Sequence, residues 1–291
     1  MFSFICGTFF SFLSFVGFIL VSGEILTRRR PPDPADTPSN YGLRHEEVTF
    51  PSRYKAQIRG WWIPAEQPMG TVIFCHGQNG SMDGDLPQAV PFYHAGYNVL
   101  MFNFRAHGNS DGKTVTFGVF EKEDLLGAVD FLAQEKGIHK SAVIGFSMGS
   151  AVAMIGAALS DKISVLILDG VFWRLLDVMD YWLRSRHIPP PISSFIARLA
   201  VTGASIRTNT RMFQVSPRLW AKHLNHVPVL FIHGEKDRLI PLADVQKVAA
   251  DLNGPFKIWV APDCDHREAF KKHEAEYNRQ VLGWLQEHHH G

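Results

Sequence analysis

The sequence predicts a doubly wound α/β domain, built on a mostly parallel eight-stranded sheet with helices on both faces. Three observations predict it. Short β-rich apolar runs bounded by turn residues recur at 46–50, 56–63, 71–75, 98–104, 142–146, 163–168, 227–232 and 256–260. Segments with apolar residues at helical spacing separate most of them, at 86–94, 121–134, 148–159 and 242–252, and another, 267–287, follows the last. The runs themselves are continuously apolar rather than alternating, as strands covered on both faces must be.

Composition bounds the reading. Of 291 residues, 46% are hydrophobic and 12% aromatic, ample for one sizeable core and too much for disorder. A net charge of +1 without a long basic or acidic run gives no footprint for a nucleic-acid partner. The three cysteines, Cys6, Cys75 and Cys264, form no CxxC pair, which argues against a disulfide framework or structural zinc and for unpaired thiols in a reducing setting. The terminal cluster His288, His289 and His290 is left out of site reasoning.

Taken in order, the chain opens with an uncharged apolar run at 2–21, long enough as a helix to cross the hydrocarbon core of a bilayer. A single-pass anchor over 1–22 is expected; the competing reading, a cleaved signal peptide, wants a basic start that Met1-Phe2-Ser3 does not supply. Arg28-Arg29-Arg30 on the carboxyl-terminal side would keep the soluble domain in the cytoplasm. The proline-rich stretch beyond it reads as an extended, poorly ordered linker, placing the linker at 23–44 and the first part of the core at 45–170. After the sixth strand, about 55 residues replace the usual short connection. Phe172, Trp173, Leu175, Leu176, Met179, Trp182 and Leu183 make an apolar helical face, Pro189-Pro190-Pro191 breaks the chain, and a second helix begins near Ser193. This reads as a lid inserted over 171–215, with the core resuming at 216–288.

Gly145-Phe146-Ser147-Met148-Gly149 is a G-x-S-x-G pentapeptide between a buried run and a small-residue helix. A strand passing directly into a helix forces the serine into a sharp turn where larger flanking side chains would clash. The turn lifts the hydroxyl above the sheet, beside the positive end of a helix. A serine hydroxyl needs a base to take its proton during attack, and on such an elbow the chain order is serine, acid, histidine. Asp237, past the seventh run, and His266, past the eighth, therefore lie on the carboxyl edge of the sheet with Ser147. Asp169, after the sixth run, is the other candidate acid; Asp263 and Asp265 stand too near His266 in sequence to orient it. Cys75 and Cys264 lack the elbow context of a nucleophile. The oxyanion of a tetrahedral intermediate needs preset donors, and the backbone N–H groups of Met148 and of Gln78, in the glycine-rich loop His76-Gly77-Gln78-Asn79-Gly80-Ser81, are the candidates.

Further motifs are Phe104-Arg105-Ala106-His107-Gly108-Asn109-Ser110 and His233-Gly234-x-x-Asp237. With these, residues 46–287 resemble α/β-hydrolases, especially the cap-bearing monoglyceride-lipase and serine-aminopeptidase-like group. The chain is also similar to membrane-anchored α/β-hydrolase-domain proteins that carry an amino-terminal helix. The resemblance implies the α/β-hydrolase fold with a helical lid after the sixth strand, a catalytic triad of Ser147, Asp237 and His266, and no metal or organic cofactor. It departs at Ala106, where the family has the first glycine of an Arg-Gly-x-Gly motif supporting the oxyanion loop.

The expected reaction is hydrolysis of carboxylic acyl esters or thioesters through an acyl-enzyme on Ser147. The lid's Arg174, Arg184, Arg186, Arg198, Arg207 and Arg211 outnumber Asp177 and Asp180. They suit either a lipid-like substrate presented at an anionic bilayer or a plain solvated basic face. The same triad would serve a peptidase or amidase, and also cofactor-free halogenation or perhydrolysis. A membrane-tethered binding protein on an inactive hydrolase scaffold would be expected to have lost one of Ser147, Asp237 or His266.

Overall fold

The structure, a computed structural model, describes residues 2–224 and 227–289, with the backbone alone described over 2–12. The strands are β1 (Glu46–Pro51), β2 (Gln57–Ile63), β3 (Gly70–Cys75), β4 (Tyr97–Asn103), β5 (Ser141–Phe146), β6 (Ile163–Asp169), β7 (Val229–Gly234) and β8 (Phe256–Ala261). They form one sheet in the order β1-β2-β4-β3-β5-β6-β7-β8. The first two pairings are antiparallel and all later ones parallel. Parallel neighbours need a crossover, so helices fall where the sequence pattern puts them. They are α1 (Phe2–Thr27), α2 (Leu86–His94), α3 (Glu121–Glu135), α4 (Met148–Leu159), α5 (Leu175–Arg184), α6 (Pro190–Thr208), α7 (Arg218–Ala221), α8 (Leu242–Ala250), α9 (Ala269–Lys272) and α10 (Glu274–His288).

Alternation along each strand splits the core into two layers. Ile73, Leu100, Val143 and Leu166 pack with Leu125 and Val129 of α3 and with Val152 of α4. Their neighbours Phe74, Met101, Ile144 and Ile167 pack on the other face with Phe92 of α2 and with Tyr277 and Val281 of α10. The sheet is thus covered on both sides, and the loops that bear the candidate site residues are left to its carboxyl edge.

Three expectations need correction. The predicted helix over 267–287 is two helices, because His273 leaves the helical region at φ −134 and Arg267, at φ 60, belongs to the preceding loop. Pro189-Pro190-Pro191 does not interrupt the insertion so much as start α6, with proline in its first turn, where a missing N–H costs nothing.

The third concerns the amino terminus. The apolar run is helical, but α1 runs on to Thr27, through the expected anchor–linker boundary at residue 22. Among the described residues no helix is long and apolar enough to cross a membrane; the side chains of 2–12, where much of the expected anchor lies, are outside those residues. Gly23, Leu26 and Thr27 are buried against the domain. The expected loose linker is bonded to it as well. The Thr27 carbonyl accepts from Val115 N–H at 2.8 Å, Arg29 donates to the Ser110 and Gly112 carbonyls at 3.0 and 2.8 Å, and Asp33 accepts from Ser81 N–H at 2.7 Å. Extended backbone finds its partners in the loops after β3 and β4, so proline content alone did not leave it unattached.

Candidate active site

Ser147 lies between β5 and α4 with φ 52 and ψ −109, a region that costs about 1–3 kcal/mol for a residue with a Cβ. Its neighbours explain how the turn is tolerated. A Cβ on Gly145 would stand 2.5 Å from the Gly149 carbonyl oxygen, and one on Gly149 would stand 1.9 Å from that of Cys75. Ser147 N–H donates to the Asp169 carbonyl at 2.8 Å, and Ser150 Oγ donates to the Gly145 carbonyl at 2.6 Å. The elbow is therefore held from both β3 and β6.

The loops after β7 and β8 bring the other two residues to it. Asp237 Oδ1 accepts from Leu239 and Ile240 N–H, each at 2.8 Å, leaving Oδ2 to His266 Nδ1 at 2.8 Å. A carboxylate so placed accepts only, so Nδ1 carries the proton and Nε2 accepts from Ser147 Oγ–H at 3.0 Å. The Asp237 side chain is 1% exposed and that of His266 18%, so the acid is sealed while the imidazole stays open to the cavity. Asp169 is brought near but not into this chain of contacts: its side chain meets Tyr277 Oη at 3.4 Å, and burial pushes its carboxyl up to about 6, against the pull of Arg267 and His266. Cys75 and Cys264 are free and buried, and burial raises both thiols.

Gln78 and Met148 line the same cavity as Ser147 and His266. Met148 is the first residue of α4, where a backbone N–H has no acceptor within the helix. A Cβ on Gly77 would stand 3.7 Å from Ser147 Cβ, so the loop bearing Gln78 passes directly beside the hydroxyl. That loop is tied down by histidines. His76 Nδ1–H donates to the Gly77 carbonyl at 2.7 Å while its Nε2 accepts from Phe104 N–H at 3.0 Å, and burial holds it well below the ordinary imidazole range. His107 Nε2 lies 2.8 Å from the Gln78 carbonyl. Ala106, the departure from the family motif, takes φ 58 where glycine is favoured, and hydrogen bonds from its N–H to the Asp111 carbonyl and from Arg30 N–H to its own carbonyl keep it there.

Sequence reasoning passed over two contributors. Gly170, at φ 76, has no side chain because a Cβ would meet His266 Cε1 at 2.7 Å. Asp265 is no orienting acid, yet it accepts from His266 N–H at 2.8 Å and from Arg238 N–H and Nε at 3.0 and 2.9 Å, tying the two loops together. An Asp-Gly pair ending a strand was the available signal for Gly170; nothing local marks Asp265.

The cavity measures about 900 Å³, within the range of small-molecule sites. Leu26, Phe172, Leu175, Met179, Leu183, Ile196 and Ala197 supply an apolar side; Asp33, Asp85, Gln88, Arg267 and Lys271 supply a polar one. Within that polar side, Arg267 donates to Asp85 at 2.7 Å. Among the described residues no cluster of three or more His, Cys, Asp or Glu could hold a metal ion.

Residues 70–185 match the family model described as alpha/beta hydrolase fold. The uncharacterized protein YqkD of Bacillus subtilis is 30% identical over 251 residues, covering 82% of this chain and 79% of that one. The chain belongs to the α/β-hydrolase family. Protein bem46 of Schizosaccharomyces pombe is 28% identical over 212 residues, covering 70% of this α/β-hydrolase and 64% of bem46. Among solved structures, an esterase of Pyrococcus furiosus superposes with a TM-score of 0.76 at 25% identity, over 91% of this chain and 99% of its own. The eight-stranded, mostly parallel sheet expected from the sequence is the sheet of this fold.

Proposed function

We propose that this α/β-hydrolase is a serine hydrolase that cleaves carboxylic acyl esters or thioesters through an acyl-enzyme on Ser147. The observation that carries the reading is the unbroken contact from Ser147 Oγ through His266 to Asp237, opening on a cavity with a largely apolar side. In this reading His266 Nε2 takes the hydroxyl proton as Oγ bonds to the acyl carbon. Asp237 holds the ring and stabilises the imidazolium, and the N–H groups of Gln78 and Met148 bind the oxyanion. The intermediate collapses by breaking the bond to the alcohol or thiol, which leaves with the proton from His266. Water then repeats the sequence and releases the acid. The apolar side suits an acyl chain, and the similarity to the Pyrococcus esterase supports ester chemistry over peptide cleavage.

A fluorophosphonate probe is expected to label Ser147, and Ser147→Ala and Asp237→Asn to lower p-nitrophenyl ester turnover about ten-thousand-fold. Labelling that survives Ser147→Ala would remove the nucleophile assignment, and full turnover in Asp237→Asn would transfer the acid's role to Asp169.

Lipid-like substrates at a membrane surface are part of the same proposal. Leu13, Phe15, Phe18, Leu20 and Val21 of α1, Trp182 of α5, and Ile192 and Phe195 of α6 are exposed large apolar side chains, more than a freely soluble surface usually carries together. The lid arginines support it less: Arg174, Arg184 and Arg207 are paired with Asp177, Asp180 and Glu24, and Arg186 stacks 4.3 Å over Trp182. Full-length protein is expected to cosediment with neutral phosphatidylcholine vesicles nearly as well as with anionic ones. Protein left in the supernatant with both would end the membrane part.

A further inference from the structure

The amino-terminal helix is built into the cavity. Ser22 and, one turn on, Ile25 and Leu26 of α1 line it together with Met179 of α5 and Ile196 of α6. The helix is also pressed against α6 more closely than side chains would permit. A Cβ on Gly23 would stand 2.2 Å from the Gly203 carbonyl carbon, and a Cβ on Gly203 would stand 1.9 Å from the Ile19 carbonyl oxygen. Each glycine costs about 1 kcal/mol of helix propensity, so a facing pair of them is explained by what the contact achieves. Arg207 of α6 adds an ion pair to Glu24 and a hydrogen bond to Thr27 Oγ1 at 3.2 Å. At its carboxyl end α1 meets the oxyanion loop itself, with Gln78 Nε2 donating to the Leu26 carbonyl at 3.3 Å.

We infer that the last two turns of α1 are the wall of an acyl-chain subsite and set chain-length selectivity, with a linear medium-to-long acyl chain lying between α1 and the inserted helices. This rests on the acyl-ester reading above and deepens it. The wall begins at the oxyanion loop, so a chain leaving the carbonyl at Ser147 meets Leu26 first and Ile25 toward the mouth, where Ile25 is 53% exposed. A helix that served only as a tether would need neither the glycine contact nor apolar side chains turned into the cavity.

The test compares second-order rates of Ser147 labelling by dodecyl and ethyl fluorophosphonates on the full chain, which needs no knowledge of the natural substrate. The unaltered protein is expected to favour the dodecyl probe by about tenfold or more, the worth of a few buried methylenes. Ile25→Trp, which fills the subsite from a half-exposed position, should reduce that ratio about tenfold, and Leu26→Ala should reduce it severalfold by removing contact area. Ser14→Trp, an exposed position on the same helix outside the cavity lining, should leave it as it was. A ratio near one in the unaltered protein, or one unmoved by both Ile25→Trp and Leu26→Ala, overturns the inference. So does an equal loss in Ser14→Trp, which would make the effect a general consequence of disturbing α1. Labelling by neither probe would instead fail the serine-hydrolase reading, a separate and recognisable result.

Discussion

The two sides of the cavity are made in different ways. On the sheet side, Ser147, Asp237 and His266 stand on turns at the ends of β5, β7 and β8: a strained elbow between two glycines, and an aspartate pinned by the N–H groups of the second and third residues after it. On the opposite side, the lining comes from α1, α5 and α6, and the contacts join residues about 180 positions apart, as Gly23 with Gly203 and Thr27 with Arg207. On the proposed reading, chemistry sits on turns at strand ends, and selectivity on packing between remote helices. Under that reading, substitutions on the first side should lower every turnover, and those on the second should change selectivity alone.

Gly170 gives the largest effect that would break this division. Gly170→Ala puts a methyl group into the His266 ring at a positive φ, and the imidazole must move. Turnover of short and long p-nitrophenyl esters should fall together by about a hundredfold, since a displacement near 1 Å misaligns the base. A loss confined to long chains would place Gly170 with the selectivity wall instead.

Asp169 gives a smaller effect, on stability alone. Its folded carboxyl titrates at about 6 because burial disfavours the charge and Asp85 adds to this, while Arg267, His266 and the Tyr277 hydroxyl oppose it. An unfolded aspartate titrates near 3.9. Between roughly pH 4 and 6 the unfolded chain has released the proton and the folded one keeps it, so stability declines as pH rises through that window and then levels. Asp169→Asn removes the decline, and above pH 6 it should be more stable than the parent by about 3 kcal/mol, read as urea midpoints across pH 4–8. Its ester turnover should stay within about tenfold of the parent's, where Asp237→Asn loses several orders of magnitude. A stability difference that does not grow with pH would sever Asp169 from this account.

Much of the sheet and of the Ser147–His266–Asp237 arrangement was legible because both depend on short-range rules. Strands buried on both faces must be continuously apolar, a serine between Gly145 and Gly149 after such a strand can make only a tight turn, and residues just past a parallel strand share its carboxyl edge. The reading of residues 1–44 fared less well. Residues 2–21 satisfy the length and apolarity of a membrane helix, but those two properties do not reveal that the end of α1, from Ile19 to Thr27, packs along α6. That packing needs a complementary groove, supplied by Gly203 and Ala204, far along the chain. The proline-rich stretch misled for a similar reason: Asp33 is ordered by Ser81, not by its neighbours.

By itself, then, the sequence determined the sheet, the elbow at Ser147, and the placing of Asp237 and His266 at the edge where the hydroxyl emerges. Each follows from steric and hydrogen-bonding limits acting over one strand and one turn. Only the tertiary structure decided that Gly170 makes room for the imidazole, that Asp265 and His107 brace the loops around it, and that α1 closes the cavity against α6. Those features are contacts between segments remote in sequence, and no local pattern encodes the distance between two surfaces that meet only after the chain has folded.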